Sequence, residues 1–286
     1  MSDLEILDLN SQFASEVRGF DPRGQLDDVT RTALQDSFDH RGILVFRDIE
    51  ISKAEQVRIS RMLIRKEDVA DDEAGHEYDD NFYISNTRPN SAAPFGRLQF
   101  HADTMWAAQP FEVLSLYGVE VAEPVVPTTF VSGIRAWATL PEGLRSRIAG
   151  LQALHTAGEV RRGDMTDVLL SSIANPPSTI KPVALPHPRT GKPVLYVCEQ
   201  MTKEIVGLPR AESEALLTEL FAHLYQPPAQ WNHDWRPCDL VVWDNVAIQH
   251  ARPNVTSTGP ARTLRKVASP IPKLDPDQLP TYSTAP

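Results

Sequence analysis

The residues with the clearest chemical potential lie in the segment FHADTMW at positions 100–106. His101 and Asp103 are two residues apart, so in an extended segment both side chains project to the same face. An imidazole and a carboxylate arranged in this way can bind one metal ion. The motif is short, and such a pair is more often a hydrogen-bonded couple than a set of metal ligands. A metal site therefore requires a third donor from elsewhere in the chain.

A second segment, WDNVAIQHARP at positions 243–253, supplies another histidine. His250 follows an apolar run and the turn-forming pair Asp244 and Asn245. Two imidazoles and one carboxylate on one face of a metal are typical of non-haem Fe(II) oxygenases, whose open positions receive a co-substrate and O₂. Zinc accepts the same three ligands in hydrolases, so the donor types alone leave the metal open.

Arg262 lies twelve residues beyond His250, in the segment ARTLRKVASP at positions 261–270. Alternation along a strand would place Arg262 and Lys266 on one face and Arg265 on the opposite face. An inward guanidinium beside the metal would offer two parallel N–H donors to a carboxylate. The alternative interpretation is a solvated basic edge strand, which discourages aggregation.

The overall charge limits the kinds of partner. A formal net charge of −10 at pH 7 argues against a nucleic-acid or anionic-membrane surface. There is no run of about 18 apolar residues, and the first ten residues lack the features of a signal peptide, so we expect no membrane span and a cytoplasmic location. Cys198 and Cys238 are expected to be buried free thiols, because their spacing fits no metal motif.

Many short β-type runs separated by turn residues predict a mainly β fold with flanking helices. We expect a double-stranded β-helix (jelly roll), because the regular strand–helix alternation of a parallel α/β fold is absent. Helical periodicity predicts helices near 26–38, at 52–64 and at 210–225. A single domain is expected to occupy residues 1–286.

Two polar segments interrupt this pattern and are predicted to be lid loops. The first covers residues 65–80, and the second covers residues 157–178 and is expected to include a short helix. Plain surface loops are the alternative interpretation. The chain ends in a Pro-rich tail at 269–286.

The segments HxD and WDNxxxQH, followed by an arginine about a dozen residues on, together resemble the taurine dioxygenase / 2,4-dichlorophenoxyacetate dioxygenase (TauD/TfdA) family. The runs GILVFRD, PTTFVSGIRAWATLP and HPRTGKPVLYV match the same family in order and spacing, so the resemblance covers most of the chain. It implies a jelly roll that binds Fe(II) and uses 2-oxoglutarate and O₂ as co-substrates. It also implies oxidation, usually hydroxylation, of a C–H bond in a small organic molecule, with release of succinate and CO₂.

The resemblance also assigns roles to individual residues. The implied iron ligands are His101, Asp103 and His250. The residues implied at 2-oxoglutarate are Arg262, Thr129 and Arg265. Thr129 would hydrogen-bond the same distal carboxylate that Arg262 binds, and the adjacent Thr128 differs from it by one register step.

Several residues near these motifs are candidates for the substrate pocket, which we expect to take a small anionic substrate. They are His76, Tyr78, Tyr83, Asn86, Arg97, Trp106 and Lys266. Lys266 lies four residues past Arg262, where the taurine enzyme binds the sulfonate of its substrate. Core packing is an equally strong interpretation for Tyr83 and Trp106, as is a surface cation for Arg97.

Two other functions fit part of this pattern. A zinc hydrolase with the same three ligands would act without O₂ and would not need Arg262. A non-catalytic jelly-roll protein could bind iron and 2-oxoglutarate without ever releasing succinate. For the assembly, the family resemblance suggests a homodimer or homotetramer.

Overall fold

The computed structural model describes residues 4–10, 12–67, 83–89, 91–173, 175–270 and 281–282. Some of the predicted features lie outside these residues. They are the candidate substrate residues His76 and Tyr78, most of the predicted lid at 65–80 and most of the tail at 269–286.

Short strands make up most of the regular structure among the described residues. In chain order they are β1 (Glu5–Asp8), β2 (Ser15–Arg18), β3 (Ile43–Phe46), β4 (Tyr83–Ser85), β5 (Gly96–His101), β6 (Val113–Val121), β7 (Thr128–Ser132), β8 (Gln152–Thr156), β9 (Ser171–Ser172), β10 (Ser178–Pro182), β11 (Ala184–Pro186), β12 (Pro193–Leu195), β13 (Thr202–Ile205), β14 (Trp231–His233), β15 (Leu240–Asp244), β16 (Ile248–Val255), β17 (Arg262–Ser269) and β18 (Thr281–Tyr282).

Three of the five α-helices among the described residues occur where the periodicity predicts them, and the other two are short. The helices are α1 (Asp28–Arg41), α2 (Lys53–Leu63), α3 (Gly133–Ala138), α4 (Glu142–Ile148) and α5 (Arg210–Leu224). Helix α1 begins where the Asp27 side chain accepts a hydrogen bond from the N–H of Thr30. Helix α2 begins with a capping box, in which Ser52 and Glu55 each accept from the other's backbone N–H.

Two sheets form the body of the fold. The larger sheet has seven strands in the order β1-β2-β3-β15-β6-β17-β4, and the smaller sheet has four strands in the order β14-β7-β16-β5. Pairing is antiparallel in both sheets except between β2 and β3. The predicted mainly β fold, a jelly roll with flanking helices, is confirmed.

The apolar run of β3 is buried along its whole length because both faces of the larger sheet are covered. Leu44 and Phe46 pack in a core shared with α1 and α2. Ile43 and Val45 point the other way and pack in a second core that includes Phe130 of the smaller sheet. This second core joins the two sheets into a sandwich.

Helix α5 covers the outer face of the smaller sheet. Its residues Leu216 and Leu220 share a core with Phe100 of β5 and Val131 of β7. Strand β5 is therefore packed from outside by a helix, while β16 contributes Ile248 to the core between the sheets. These contacts hold the two strands that carry the predicted histidine ligands.

Some sequence predictions need correction or gain support here. The short helix predicted within 157–178 is wrong, because the described residues of that segment form turns and the strand β9. Cys198 is a buried free thiol as predicted, whereas Cys238 is free but only partly buried. Among the described residues, no helix combines the length and the apolar character needed to cross a membrane.

A close backbone approach occurs at Gly118, where β6 passes the turn that precedes β15. The N–H of Gly118 donates to the carbonyl of Asp239 (2.9 Å), and its carbonyl accepts from the N–H of Cys238 (2.8 Å). A Cβ atom at this position would lie 2.4 Å from the carbonyl oxygen of Arg236. Because that neighbour is backbone, a side chain here requires the turn to move.

We expect Gly118→Ala to lower the free energy of unfolding by about 1–3 kcal/mol, the usual cost of overpacking. The matched control is Gly143→Ala in α4, where an added Cβ meets nothing within 4 Å. That variant should keep or gain stability, by up to about 1 kcal/mol, because alanine favours a helix over glycine. Urea unfolding followed by circular dichroism measures both, and equal midpoints would contradict the steric argument.

Candidate active site

The two predicted histidine ligands lie side by side on neighbouring strands of the smaller sheet. Strand β5 ends at His101, which pairs in register with His250 of β16. Paired residues on antiparallel strands project to the same face. The ring centroids of His101 and His250 are accordingly 4.2 Å apart. This face points into the space between the two sheets, where Trp243 lies 4.9 Å from the His250 ring.

Asp103 completes the cluster from the turn that follows β5. Its Oδ1 atom lies 3.1 Å from Nε2 of His101 and 3.8 Å from Nε2 of His250. One donor atom from each of the three residues lies within 4.8 Å of the others. The structure therefore brings together the three predicted ligands at the spacing that one metal ion requires.

Hydrogen bonding presents the right nitrogen of His101 to such an ion. Its Nδ1 lies 2.7 Å from the carbonyl oxygen of Gln99, and a carbonyl can only accept, so Nδ1 carries the proton. The lone pair is then on Nε2, the atom that faces Asp103. Orientation of a ligating histidine by a backbone carbonyl is the usual arrangement around protein metals.

The charges around the cluster favour the protonation states that metal ligands need. Burial alone would raise the pKa of Asp103, but the Lys266 ammonium and the two imidazoles outweigh it and hold that pKa well below its usual value. Burial, together with the neighbouring His101, lowers the pKa of His250 well below that of a free imidazole. At neutral pH Asp103 is thus a carboxylate and His250 a neutral imidazole, the forms in which both residues bind a metal.

These residues fit a ferrous ion in the facial arrangement of two imidazoles and one carboxylate, which leaves coordination positions open. Nδ1 of His250 is buried without a hydrogen-bond partner among the described residues. Its Nε2 faces Asp103, so both histidines approach the common point through the same ring nitrogen. The donor set also suits zinc, and geometry alone does not separate the two metals.

Arg262 lies buried on the inward face of β17. Its guanidinium donates to the carbonyl of Val126 (3.3 Å) and to the hydroxyl of Thr128 (3.2 Å). Burial and the neighbouring Arg252 lower the pKa of Arg262 well below its ordinary value. Among the described residues no carboxylate bonds to this guanidinium, so the site can stabilise the negative charge of a bound ligand.

Arg252 is a second buried arginine on the same face of β16 as His250, and no pattern in the sequence predicts a role for it. Its guanidinium donates to the carbonyls of Ala93 (3.0 Å), Phe95 (3.1 Å) and Gly96 (2.8 Å). Burial lowers the pKa of Arg252 to about 10. These bonds fix the backbone that leads into β5.

The prediction that Thr129 shares the Arg262 site is wrong by one register step. Alternation along β7 turns Thr128 inward, where its hydroxyl also accepts from the indole N–H of Trp235 (3.0 Å). Thr129 points to the opposite face, where its hydroxyl donates to Asn232 (2.7 Å). Thr128 is therefore the threonine beside Arg262.

The prediction that Arg265 joins the same site is also wrong. Its guanidinium lies on the opposite face of β17, where it donates to the side chain of Gln56 (2.7 Å) and to the carbonyl of Ile51 (2.9 Å). Lys266 does face inward, as the alternation predicts. Its ammonium bonds to Oδ2 of Asp103, the oxygen that is not shared with His101.

The remaining described substrate candidates are not brought to the cluster. Tyr83 pairs in register with the outward Arg265, and Arg88 stacks on its ring at 4.0 Å. Asn86 bonds to backbone, accepting from the N–H of Arg262 (2.9 Å) and donating to the carbonyl of Pro260 (2.9 Å). Trp106 is buried in a small apolar cluster, which favours the core-packing interpretation.

Arg97 bonds to the predicted lid at 157–178 rather than to the cluster. Its guanidinium donates to the carbonyls of Asp164 and Thr166. The backbone of Arg97 also exchanges hydrogen bonds with this segment, through the carbonyl of Asp167 (2.7 Å) and the N–H of Leu169 (2.9 Å). These hydrogen bonds attach residues 164–169 to the edge of β5. The role of the segment as a lid stays a prediction.

Two relatives that are described as dioxygenases resemble most of the chain. A protein from Sphingobium herbicidovorans, described as (S)-phenoxypropionate/alpha-ketoglutarate-dioxygenase, is 27% identical over 267 residues, which cover 86% of this chain and 88% of that protein. The alpha-ketoglutarate-dependent 2,4-dichlorophenoxyacetate dioxygenase of Cupriavidus pinatubonensis is 27% identical over 259 residues, covering 85% and 89%.

Solved structures share the fold. A taurine dioxygenase from Burkholderia xenovorans superposes with a TM-score of 0.71 and 23% identity, covering 99% of this chain and 97% of that one. The structure of AAD-2 in complex with Mn(II) and N-oxalylglycine gives a TM-score of 0.71 at 21% identity, covering 95% and 99%. Both support the jelly-roll architecture.

The cluster geometry predicts which histidines control metal binding. His250→Ala should weaken the binding of Co(II), used in place of Fe(II), by at least about 100-fold, because one of three donors is lost. Co(II) absorption under anaerobic conditions measures this. The control is His40→Ala, which removes an exposed histidine of α1 and should leave the affinity unchanged. Similar affinities in the two variants would contradict a metal site at His250.

A family model described as "Taurine catabolism dioxygenase TauD, TfdA family" matches residues 5–268. Together with the relatives above, this match confirms the predicted enzyme class, a non-haem dioxygenase that uses Fe(II), 2-oxoglutarate and O₂. The chain therefore belongs to the TauD/TfdA family of 2-oxoglutarate-dependent dioxygenases.

Proposed function

We propose that this enzyme binds Fe(II) through His101, Asp103 and His250, binds 2-oxoglutarate through Arg262 and Thr128, and oxidises a C–H bond of a small organic anion. The observation that carries the proposal is the position of Arg262. It is a buried guanidinium on the inward face of β17, the same face from which Lys266 reaches Asp103. A carboxylate ligand would supply the charge that this guanidinium lacks among the described residues.

The bound iron, with 2-oxoglutarate, supplies the oxidising chemistry that couples release of succinate and CO₂ to oxidation of the substrate. The protein contributes position and surroundings. Three ligands on one side leave room for the co-substrate and O₂. Trp243 and Phe130 lie 4.9 and 6.3 Å from the His250 ring and exclude water from that side of the cluster.

Thr128 is well placed to hydrogen-bond a carboxylate held by Arg262. Its hydroxyl oxygen accepts two hydrogen bonds, from the Arg262 guanidinium and from the Trp235 indole. Since both lone pairs are engaged, the hydroxyl proton is directed elsewhere and can be donated to a ligand oxygen. Arg262 and Thr128 thus offer charge and a directed donor to one end of 2-oxoglutarate.

The charge of Lys266 supports an anionic substrate. Its ammonium reaches the cluster from the inward face of β17 and is about one-fifth exposed, so a ligand can approach it. The relatives named above are described as acting on phenoxypropionate and 2,4-dichlorophenoxyacetate, both of which are carboxylates. We propose a small carboxylate of this general kind, with hydroxylation as the outcome.

The roles of Tyr78, Tyr83, Asn86, Arg97 and Trp106 in substrate binding stay predictions. The resemblance also supports a homodimer or homotetramer of single-domain chains in the cytoplasm, which analytical ultracentrifugation and cell fractionation would test.

The proposed co-substrate site predicts a sharp contrast between neighbouring residues. In anaerobic titrations with Fe(II), Arg262→Gln should weaken 2-oxoglutarate binding roughly 10–100-fold, because a charged hydrogen-bond partner is worth about 1.5–3 kcal/mol. Thr128→Val should weaken it about fivefold. The visible charge-transfer band of the iron–co-substrate chelate provides the readout.

Matched controls come from the same strands. Arg265→Gln and Thr129→Val change residues of identical type that face the opposite way. Both should bind 2-oxoglutarate within about twofold of wild type. If Arg265→Gln and Arg262→Gln lose equal affinity, the assignment of Arg262 is wrong. The absence of any band in wild type would reject the iron site and favour a zinc enzyme.

The substrate class predicts a preference for acids over neutral analogues. Phenoxyacetic and 2-phenoxypropionic acids should stimulate O₂-dependent succinate release at least about tenfold more than their primary amides, because the amides cannot pair with Lys266. Product analysis by mass spectrometry should show addition of one oxygen. Equal stimulation by acids and amides would contradict the anionic substrate, and turnover without O₂ would indicate a hydrolase.

A further inference from the structure

Asn245, in the turn between β15 and β16, places its side chain against the backbone of Asp103. The Asn245 side-chain oxygen accepts from the N–H of Asp103 at 3.0 Å, and its amide nitrogen donates to the carbonyl of the same residue at 2.8 Å. The amide nitrogen also donates to the carbonyl of Phe111 at 3.0 Å. The Asn245 side chain is fully buried.

The Asn245 contact holds the backbone of Asp103, which lies beyond the end of β5 and outside the hydrogen-bonded pairing of the sheet. Strand β5 ends at His101, and the turn that follows includes Thr104 with a positive φ of 55°. A left-handed conformation is costly for a β-branched residue, so the turn needs external support. Asn245 supplies to Asp103 the N–H and C=O partners that a neighbouring strand supplies to residues within a sheet.

Asn245 is itself held in a well-defined turn. Its own N–H donates to the carbonyl of Glu112 at 3.0 Å. The preceding residue, Asp244, accepts from the N–H groups of Val246 and Ala247 through Oδ1 and pairs with His187 through Oδ2 at 2.9 Å. The turn leads directly into β16, which carries His250. One buried amide thus joins the two segments that bear the cluster.

We propose that Asn245 is a positioning residue, which sets the distance between the Asp103 carboxylate and the two histidines and thereby the affinity and geometry of the metal site. The inference deepens the proposed function and rests on it. A residue here must offer a donor and an acceptor from one planar group. Aspartate has the same shape but no donor, and it would set a carboxylate oxygen against two carbonyls.

The test measures Co(II) binding by the full-length protein, because the absorption spectrum of Co(II) reports ligand geometry separately from affinity. Asn245→Asp and Asn245→Ala should bind Co(II) at least tenfold more weakly than wild type, the usual effect of removing a residue that orients a ligand. Both should shift the Co(II) absorption bands. Asn245→Ser replaces Asn245→Ala should the latter fail to fold.

A matched control separates positioning from general loss of stability. Gln35 is a buried carboxamide in α1 that donates to the carbonyl of Met62 at 2.8 Å, remote from the cluster. Gln35→Ala should lower the melting temperature while keeping wild-type Co(II) affinity and spectrum. If it weakens Co(II) binding as much as Asn245→Ala does, the effect is one of stability, and the inference is overturned.

A double-mutant cycle tests whether Asn245 acts through Asp103. In an Asp103→Ala background, adding Asn245→Ala should cause no further loss of Co(II) affinity, because the ligand it orients is already gone. A further tenfold loss would overturn the inference. If the proposed function itself is wrong, the result differs, because His250→Ala would then bind Co(II) with the affinity of the wild type. Weak binding by His250→Ala with unchanged Asn245 variants would reject only the role of Asn245.

Discussion

The pairing of β5 with β16 is the constraint on which the candidate site depends. It places His101 opposite His250 on one face, and everything else is arranged around that pair. Packing fixes the pairing from both sides, through Phe100 against α5 outside and Ile248 in the core between the sheets. A slip of either strand by one residue would turn the imidazole of that strand away from the interior, and the apolar side chains between the sheets oppose it.

The ligands, the fold class and the main helices could be predicted, because each leaves a local signal in the sequence. Thr128 and Thr129 show where prediction from the sequence ends, because two adjacent threonines fit a strand equally well. Only pairing with distant strands decides which of them faces inward. The position of the Arg97 side chain could not be predicted for a similar reason, because the carbonyl groups that it bonds lie nearly 70 residues away in the sequence. Asn245 had a visible signal as a turn residue, but its contact with Asp103 spans 142 positions.

A buried network of charges supports the turn that carries Asn245. Asp244 pairs with His187 and Arg189, and Arg189 continues to Asp39 of α1 at 3.0 Å. Burial would raise the pKa of Asp244, but His187 and Arg189 outweigh it and lower that pKa. Such a network contributes little net stability, because desolvation offsets the attraction, whereas loss of one partner is costly. Here the network holds the turn beside the cluster in a single geometry.

Basic side chains gather near the cluster, although the protein as a whole is acidic. The chain carries a formal net charge of −10, while Arg252, Arg262 and Lys266 lie near the cluster. An approaching dianion is therefore repelled at long range and attracted only after it enters. Ions in solution screen the outer field beyond about 8 Å at physiological strength and reach buried charges far less. Moderate salt should consequently speed the capture of anionic ligands, the reverse of what holds for enzymes that steer anions with a positive surface.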